Sequence, residues 1–161
     1  MKIIKPTSKD QESIEKYPKV FLAGSIEMGV AEDWQNILEK EIESLGATVS
    51  IFNPRRDSWD SSWEQRITNP EFSYQVNWEM DRLEESDIIF MYFSPETKSP
   101  ISLLELGLHS SSGKMVVVCP DGFWRKGNVE VVCDRYDVKL YNNLQEGANY
   151  LKNLISLNLE K

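Results

Sequence analysis

Glu105 stands in the run Ser99-Pro100-Ile101-Ser102-Leu103-Leu104-Glu105-Leu106-Gly107. A carboxylate set among leucines is unusual, because charged side chains are rarely buried unless paired, and desolvation raises a carboxyl's pKa or demands a hydrogen-bonding partner. That environment makes Glu105 the residue best placed to do chemistry. A solvated glutamate on a surface helix is the competing reading. Ser102, three residues back, and His109, four on, fall on the same helical face and are placed to orient the carboxyl.

A second acid, Asp81, lies beside the apolar stripe of the preceding helix, with Asn77 four and Trp78 three residues before it. It either points along a crevice or is one of the many solvated acids on helix flanks. Asp87, at a helix-to-strand turn, reads as structural. Arg55 and Arg56 directly follow an apolar run, where a guanidinium fork matches phosphate or carboxylate geometry, and a surface ion pair is the alternative. The aromatics Trp59, Trp63, Phe123 and Trp124 fall in loops and either stack on a base or cover the core. Gly24, followed by Ser25, closes another apolar run, and a glycine there permits close backbone approach to a ligand. The three-glycine dinucleotide fingerprint is absent, which disfavours NAD, and nothing in the sequence implies another cofactor.

The elements that must position these residues follow from the apolar pattern. Residues 19–23 read as a strand, 31–45 as a helix stopped by Gly46, and 48–52 as a second strand broken by Asn53-Pro54. Phe72, Val76, Met80 and Leu83 mark the stripe of a second helix, and 87–93 is a β-rich strand. Ser99 is placed to cap a third helix with Pro100 at its first position, ahead of a strand at 115–119. After the loop 120–128 comes a less regular stretch, then a short strand at 138–141 and a closing helix marked by Leu144, Tyr150, Leu151, Leu154 and Leu157. Alternating strands and helices imply right-handed crossovers and a parallel sheet. The expectation is one doubly wound, flavodoxin-like α/β domain over residues 19–161, with five strands, helices on both faces, and a polar extension at 1–18. Ligands of such sheets bind beyond the carboxyl ends of the strands, which gathers the loops at Gly24, Asn53, Ser94 and Pro120 into one crevice.

With 161 residues, 40% of them hydrophobic, the chain suits one core. Its net charge of -8, from 26 acids against 18 bases, opposes the phosphate neutralisation on which binding to polymeric nucleic acid depends. A small anion remains possible through local arginines or backbone amides. The two cysteines lack metal-ligand spacing, so no metal is expected, and no secretory signal or membrane-spanning run is evident. A cytoplasmic protein with reduced thiols is the corresponding expectation.

Four matches in order carry a family resemblance: Val20-Phe21-Leu22-Ala23-Gly24-Ser25; the Asn77 to Asp81 helix leading into Asp87-Ile88-Ile89; Glu105-Leu106-Gly107 followed by Gly113-Lys114; and Cys119-Pro120-Asp121-Gly122. Over roughly residues 19 to 130 the chain resembles the nucleoside 2-deoxyribosyltransferase family. The resemblance implies that Glu105 attacks C1′ of a 2-deoxyribosyl group, that Asp81 protonates the leaving base, and that a second base accepts the sugar, as in a retaining glycosidase. Gly24, Ser25, Arg55, Arg56, Asn77, Trp78 and Ser99 are the candidate substrate contacts. Asn128 is similar to a residue that reaches a neighbouring subunit's site in family dimers, so a homodimer or larger assembly is expected.

One departure stands out. Where classical transferases have an acid shortly before the glutamate element, this chain has Lys98-Ser99-Pro100. A serine at a helix N-terminus welcomes an anion, and the related 2-deoxynucleoside 5-phosphate N-hydrolases look serine-rich there too. Hydrolysis of a deoxynucleoside monophosphate is therefore an alternative to base exchange. A nucleotide sensor without turnover is the reading from another class.

Overall fold

A computed structural model describes residues 1–26, 31–56 and 60–159. These form six strands and five α-helices: β1 Lys2–Ile4, β2 Lys19–Gly24, α1 Trp34–Glu43, β3 Ser50–Phe52, α2 Pro70–Glu85, β4 Ile88–Tyr92, α3 Pro100–His109, β5 Met115–Val118, α4 Lys126–Arg135, β6 Lys139–Tyr141 and α5 Leu144–Leu159. The strands make a single parallel sheet in the order β1-β3-β2-β4-β5-β6.

Burial on both faces explains the apolar strand sequences. Successive residues of β4 alternate between layers: Ile89 and Met91 pack with Trp78, Leu83 and Leu106 from α2 and α3. Ile88, Phe90 and Tyr92 pack with Trp34, Leu38 and Ile42 of α1 and with Leu151 and Ile155 of α5. The fold is thus doubly wound as expected, with α1 and α5 on one face and α2, α3 and α4 on the other.

Two expectations change. The sheet has six strands because Lys2–Ile4 adds an edge strand beside β3, with Ile4 fully buried. Two isoleucines after a lysine are too short a pattern to read as a strand. The rest of the N-terminal segment is tied to α2: Trp78 Nε1 donates to Gln11 Oε1 at 2.8 Å and Tyr74 donates to the Pro6 carbonyl at 3.2 Å. The second change is α4, where an irregular stretch was expected. Gly127 and Asn128 are poor helix formers, and Val129 and Cys133 are its buried residues, so tertiary packing overrides propensity.

The strand order reverses between β2 and β4, and their carboxyl ends mark the switch point where a crevice opens. Gly24 sits there with φ +128°, and a Cβ would lie 2.1 Å from the Tyr92 carbonyl oxygen. The close approach that this glycine permits is therefore to the neighbouring strand. Asp87 is structural as read, since its carboxylate accepts from the Lys19 backbone N–H at 2.9 Å.

Candidate active site

Three buried hydroxyls cluster at the switch point. Ser25 Oγ lies 2.7 Å from both Thr97 Oγ1 and Ser99 Oγ, which are 2.8 Å from each other. The Ser94 N–H donates to Ser25 Oγ at 2.8 Å, joining the loops after β2 and β4. Ser99 occupies the N-cap position of α3 as expected, but its side chain makes no cap bond. Its left-handed backbone, with φ +47°, is costly for a serine and is held by this cluster. Pro100 follows at the first helical position, and α3 carries Glu105 into the layer beneath.

The charge that acts on Glu105 belongs to a second carboxylate, Glu79 of α2. Burial, and then the charge of Glu79, pushes the Glu105 carboxyl up to about 8. Burial likewise pushes Glu79 up to about 7, opposed by a 2.6 Å hydrogen bond that Gln75 Nε2 donates to Glu79 Oε1. Burial raises both carboxyls and the Glu79 charge adds to the rise at Glu105, so the two together retain a proton near neutrality. Ser102 is buried and His109 half-buried on the Glu105 helix, yet neither hydrogen-bonds to the Glu105 carboxylate among the described residues.

Asp81 is the next acid along α2. It lies exposed on α2, away from the buried side that carries Gln75, Trp78 and Leu83. Two residues along a helix rotate a side chain by about 200°, so Glu79 and Asp81 point to opposite sides. Asn77 shares the exposed side, and its amide donates back to the Ser73 carbonyl at 2.7 Å. Trp78 is core, packed against the rings of Phe21 and Phe52. Sequence reasoning missed Glu79 because Met80 was set on the buried stripe, whereas Met80 is exposed. Gln75 and Glu79, one turn apart on the buried side, were the available signal.

Both arginines stand at the carboxyl end of β3, where the sequence put them, and both guanidinium groups are engaged by the protein. Arg55 donates to Gln35 Oε1 at 3.1 Å and to the Ala31 carbonyl at 3.3 Å, and it pairs with Asp33 at 3.6 Å. Arg56 donates to Gln75 Oε1 at 3.2 Å and lies over the Trp63 ring, 4.9 Å from its centroid. Arg55 and Ser99 are thus bonded to protein groups at the site where the sequence places an anion. Of the loop aromatics, Phe123 is buried against Phe93, Trp124 donates to the Lys98 carbonyl, and Trp59 lies outside the described residues. Asn128 lines a groove of about 330 Å³ between α3 and α4 together with Leu103, Trp124 and Val132.

The carboxyl pair makes stability depend on pH in a definite direction. Both groups bind protons more tightly in the folded chain than at their ordinary value of 4.5. Their contribution is full below pH 4.5 and is lost as pH rises toward 8. Glu105→Gln is therefore expected to melt with the parent at pH 4 and several degrees above it at pH 9, by differential scanning calorimetry. A gap that does not widen with pH would show that the carboxyl is not held protonated by the fold.

A model of the family described as nucleoside 2-deoxyribosyltransferase like matches residues 17–123, from the approach to β2 through the loop after β5. The chain belongs to this family. The matched stretch of this nucleoside 2-deoxyribosyltransferase-like protein contains the switch point and both carboxylates, while α4 and α5 lie beyond it. A conserved protein from Enterococcus faecalis V583 has a similar solved structure, with a TM-score of 0.58 and 13% identity, covering 88% of this chain and 98% of that one. At that identity the likeness concerns the fold. No curated protein matches the chain. Among the described residues, no helix is long and apolar enough to cross a membrane.

Proposed function

We propose that the protein cleaves the N-glycosidic bond of a 2-deoxynucleoside and transfers the sugar to a second nucleobase, with Glu105 as nucleophile and Glu79 as acid and base. The observation that carries this reading is the pair itself: two carboxyls from adjacent helices, both titrating near neutrality, on one face of a sheet whose family acts on nucleosides. In the ligand-free site the Gln75 amide favours negative charge on Glu79, which leaves the retained proton on Glu105. Transfer of that proton to Glu79 as substrate enters gives an ionised nucleophile and a protonated acid. Glu105 then forms a bond to C1′ as the bond to the base breaks through an oxocarbenium-like transition state, and Glu79 gives its proton to the departing base. The covalent glycosyl ester is resolved by an incoming base, whose proton Glu79 takes back.

A nucleoside is favoured over its 5-monophosphate, because the Ser99 hydroxyl and the Arg55 guanidinium are already engaged by protein groups. Incubation with deoxynucleosides, alone and with a second free base, followed by chromatography, tests the reading. A new nucleoside supports transfer, and free sugar would replace transfer with hydrolysis. A deoxynucleoside that binds without turnover would establish a sensor in place of an enzyme.

The proposal includes a homodimer built on α3 and α4. Ile101, Leu104 and Leu108 are each about 60% exposed at successive turns of α3, and Val131 of α4 is 66% exposed. Such a stripe beside an apolar groove is characteristic of a buried interface. Asn128 in that groove is then positioned to approach the second copy's site. Light scattering is expected to give a dimer or larger, and Leu104→Glu a monomer. A monomeric parent would remove the shared-site role of Asn128.

A further inference from the structure

Arg56, Gln75 and Glu79 form a hydrogen-bonded line that ends at the Glu79 carboxylate. Gln75 is 3% exposed, one helical turn before Glu79. Its amide has only one chemically consistent orientation. Arginine donates and never accepts, so the amide oxygen must face Arg56 Nη1, 3.2 Å away. The amide nitrogen is then committed to two acceptors, the Glu79 carboxylate at 2.6 Å and the Pro54 carbonyl at 3.3 Å. Arg56 is held in turn by stacking on Trp63.

We propose that Gln75 is a positioning residue, locked by Arg56, whose amide fixes the Glu79 carboxylate and favours its charged form. The proposal rests on the reading of Glu79 and Glu105 as a working pair. A glutamine free to flip would present its oxygen to Glu79 and repel the charge it now stabilises. Of the other charged groups near Glu79, Glu105 on α3 is itself pushed up by the Glu79 charge. Arg56, from the segment after β3, acts on it through Gln75. Arg82, one turn further along α2, is turned instead to Glu85 and to the Gln11 carbonyl. The hydrogen bond from Gln75 is therefore the interaction that opposes desolvation of Glu79.

The test is a carbon-13 NMR titration of the Glu79 carboxyl in the full-length chain carrying Glu105→Gln, so that Glu79 titrates alone. Gln75→Met keeps the side-chain length and removes both donors. Its expected effect is an upward shift of the Glu79 titration by about one pH unit or more, the usual worth of a hydrogen bond to an ionised group. Arg56→Met is expected to shift Glu79 upward as well, and by less. Adding Arg56→Met to Gln75→Met is expected to do nothing further, because the arginine acts through the amide. An unchanged titration in Gln75→Met would overturn the proposal. So would an Arg56→Met effect that is equally large with and without Gln75, which would assign it to long-range charge. Arg56→Met in the parent reads the same line if Gln75→Met does not fold. The titration needs no turnover, so shifted values in a protein inactive on deoxynucleosides would retire the proposed reaction and leave the positioning role standing.

Discussion

Glu105→Ala is expected to lose at least about 10³-fold in kcat on deoxynucleosides while keeping its fold, because removing an attacking carboxylate forces the reaction onto an uncatalysed path. Alanine is the best helix former, and the site gives up a group that burial and the Glu79 charge make costly to ionise. Circular dichroism should therefore be unchanged, and melting above pH 8 should improve. Added azide offers a sharper reading than the loss of rate alone. A small anion entering the space left by the side chain can attack C1′ in place of the carboxylate, and a nucleophile variant should then recover part of its rate and yield a glycosyl azide. A residue that only shapes the site would gain nothing from azide. Near-parental turnover in Glu105→Ala would end the assignment of Glu105 as nucleophile.

The site was legible in the sequence in proportion to how far it follows apolar pattern. β4 and β5 read directly as strands, because Ile88–Tyr92 and Met115–Val118 are buried on both faces and tolerate no polar residue. Their alternation with helices gave the parallel sheet and the switch point at Gly24 and Ser25. Glu105 was legible as an exception, a lone acid inside an apolar helix. Glu79 failed the same test because its neighbourhood is a polar network: Gln75 takes a buried position and Glu79 a half-buried one, where a hydrophobic stripe expects apolar residues. Placing Met80 on the stripe rotated the helix by about 100° and set Asp81, which is exposed, next to the buried side. The arginines were located correctly and their partners were not. Gln35, Asp33 and Gln75 come from elements that only the tertiary fold brings to the end of β3. The edge strand β1 and the helix α4 were missed for a related reason: each owes its existence to packing against the sheet more than to its own sequence.

The two acids of α2 give opposite expectations under the same substitution, and this comparison decides which of them serves Glu105. Glu79→Gln keeps the size and the hydrogen-bonding reach of the side chain and removes its transferable proton. General acid catalysis typically supplies about 10²–10⁴-fold, so kcat should fall by that range for a base that leaves reluctantly and far less for one activated to leave without protonation. Asp81→Asn, on the exposed side of the helix, should stay within about twofold of the parent for both kinds of substrate, as exposed substitutions away from a site generally do. The pH profile carries the same distinction. The acid must hold its proton, so the parent's rate should fall as pH rises through the upper titration of the pair, near 7 to 8. In Glu79→Gln that descending limb should vanish, because no proton remains to be lost from the acid. The like charge beside Glu105 is also gone, so Glu105 should ionise at lower pH and the ascending limb should move down. Retention of the parental profile in Glu79→Gln, with a leaving-group-dependent loss in Asp81→Asn, would return the acid role to Asp81. It would also require α2 to turn its exposed side toward the substrate during turnover.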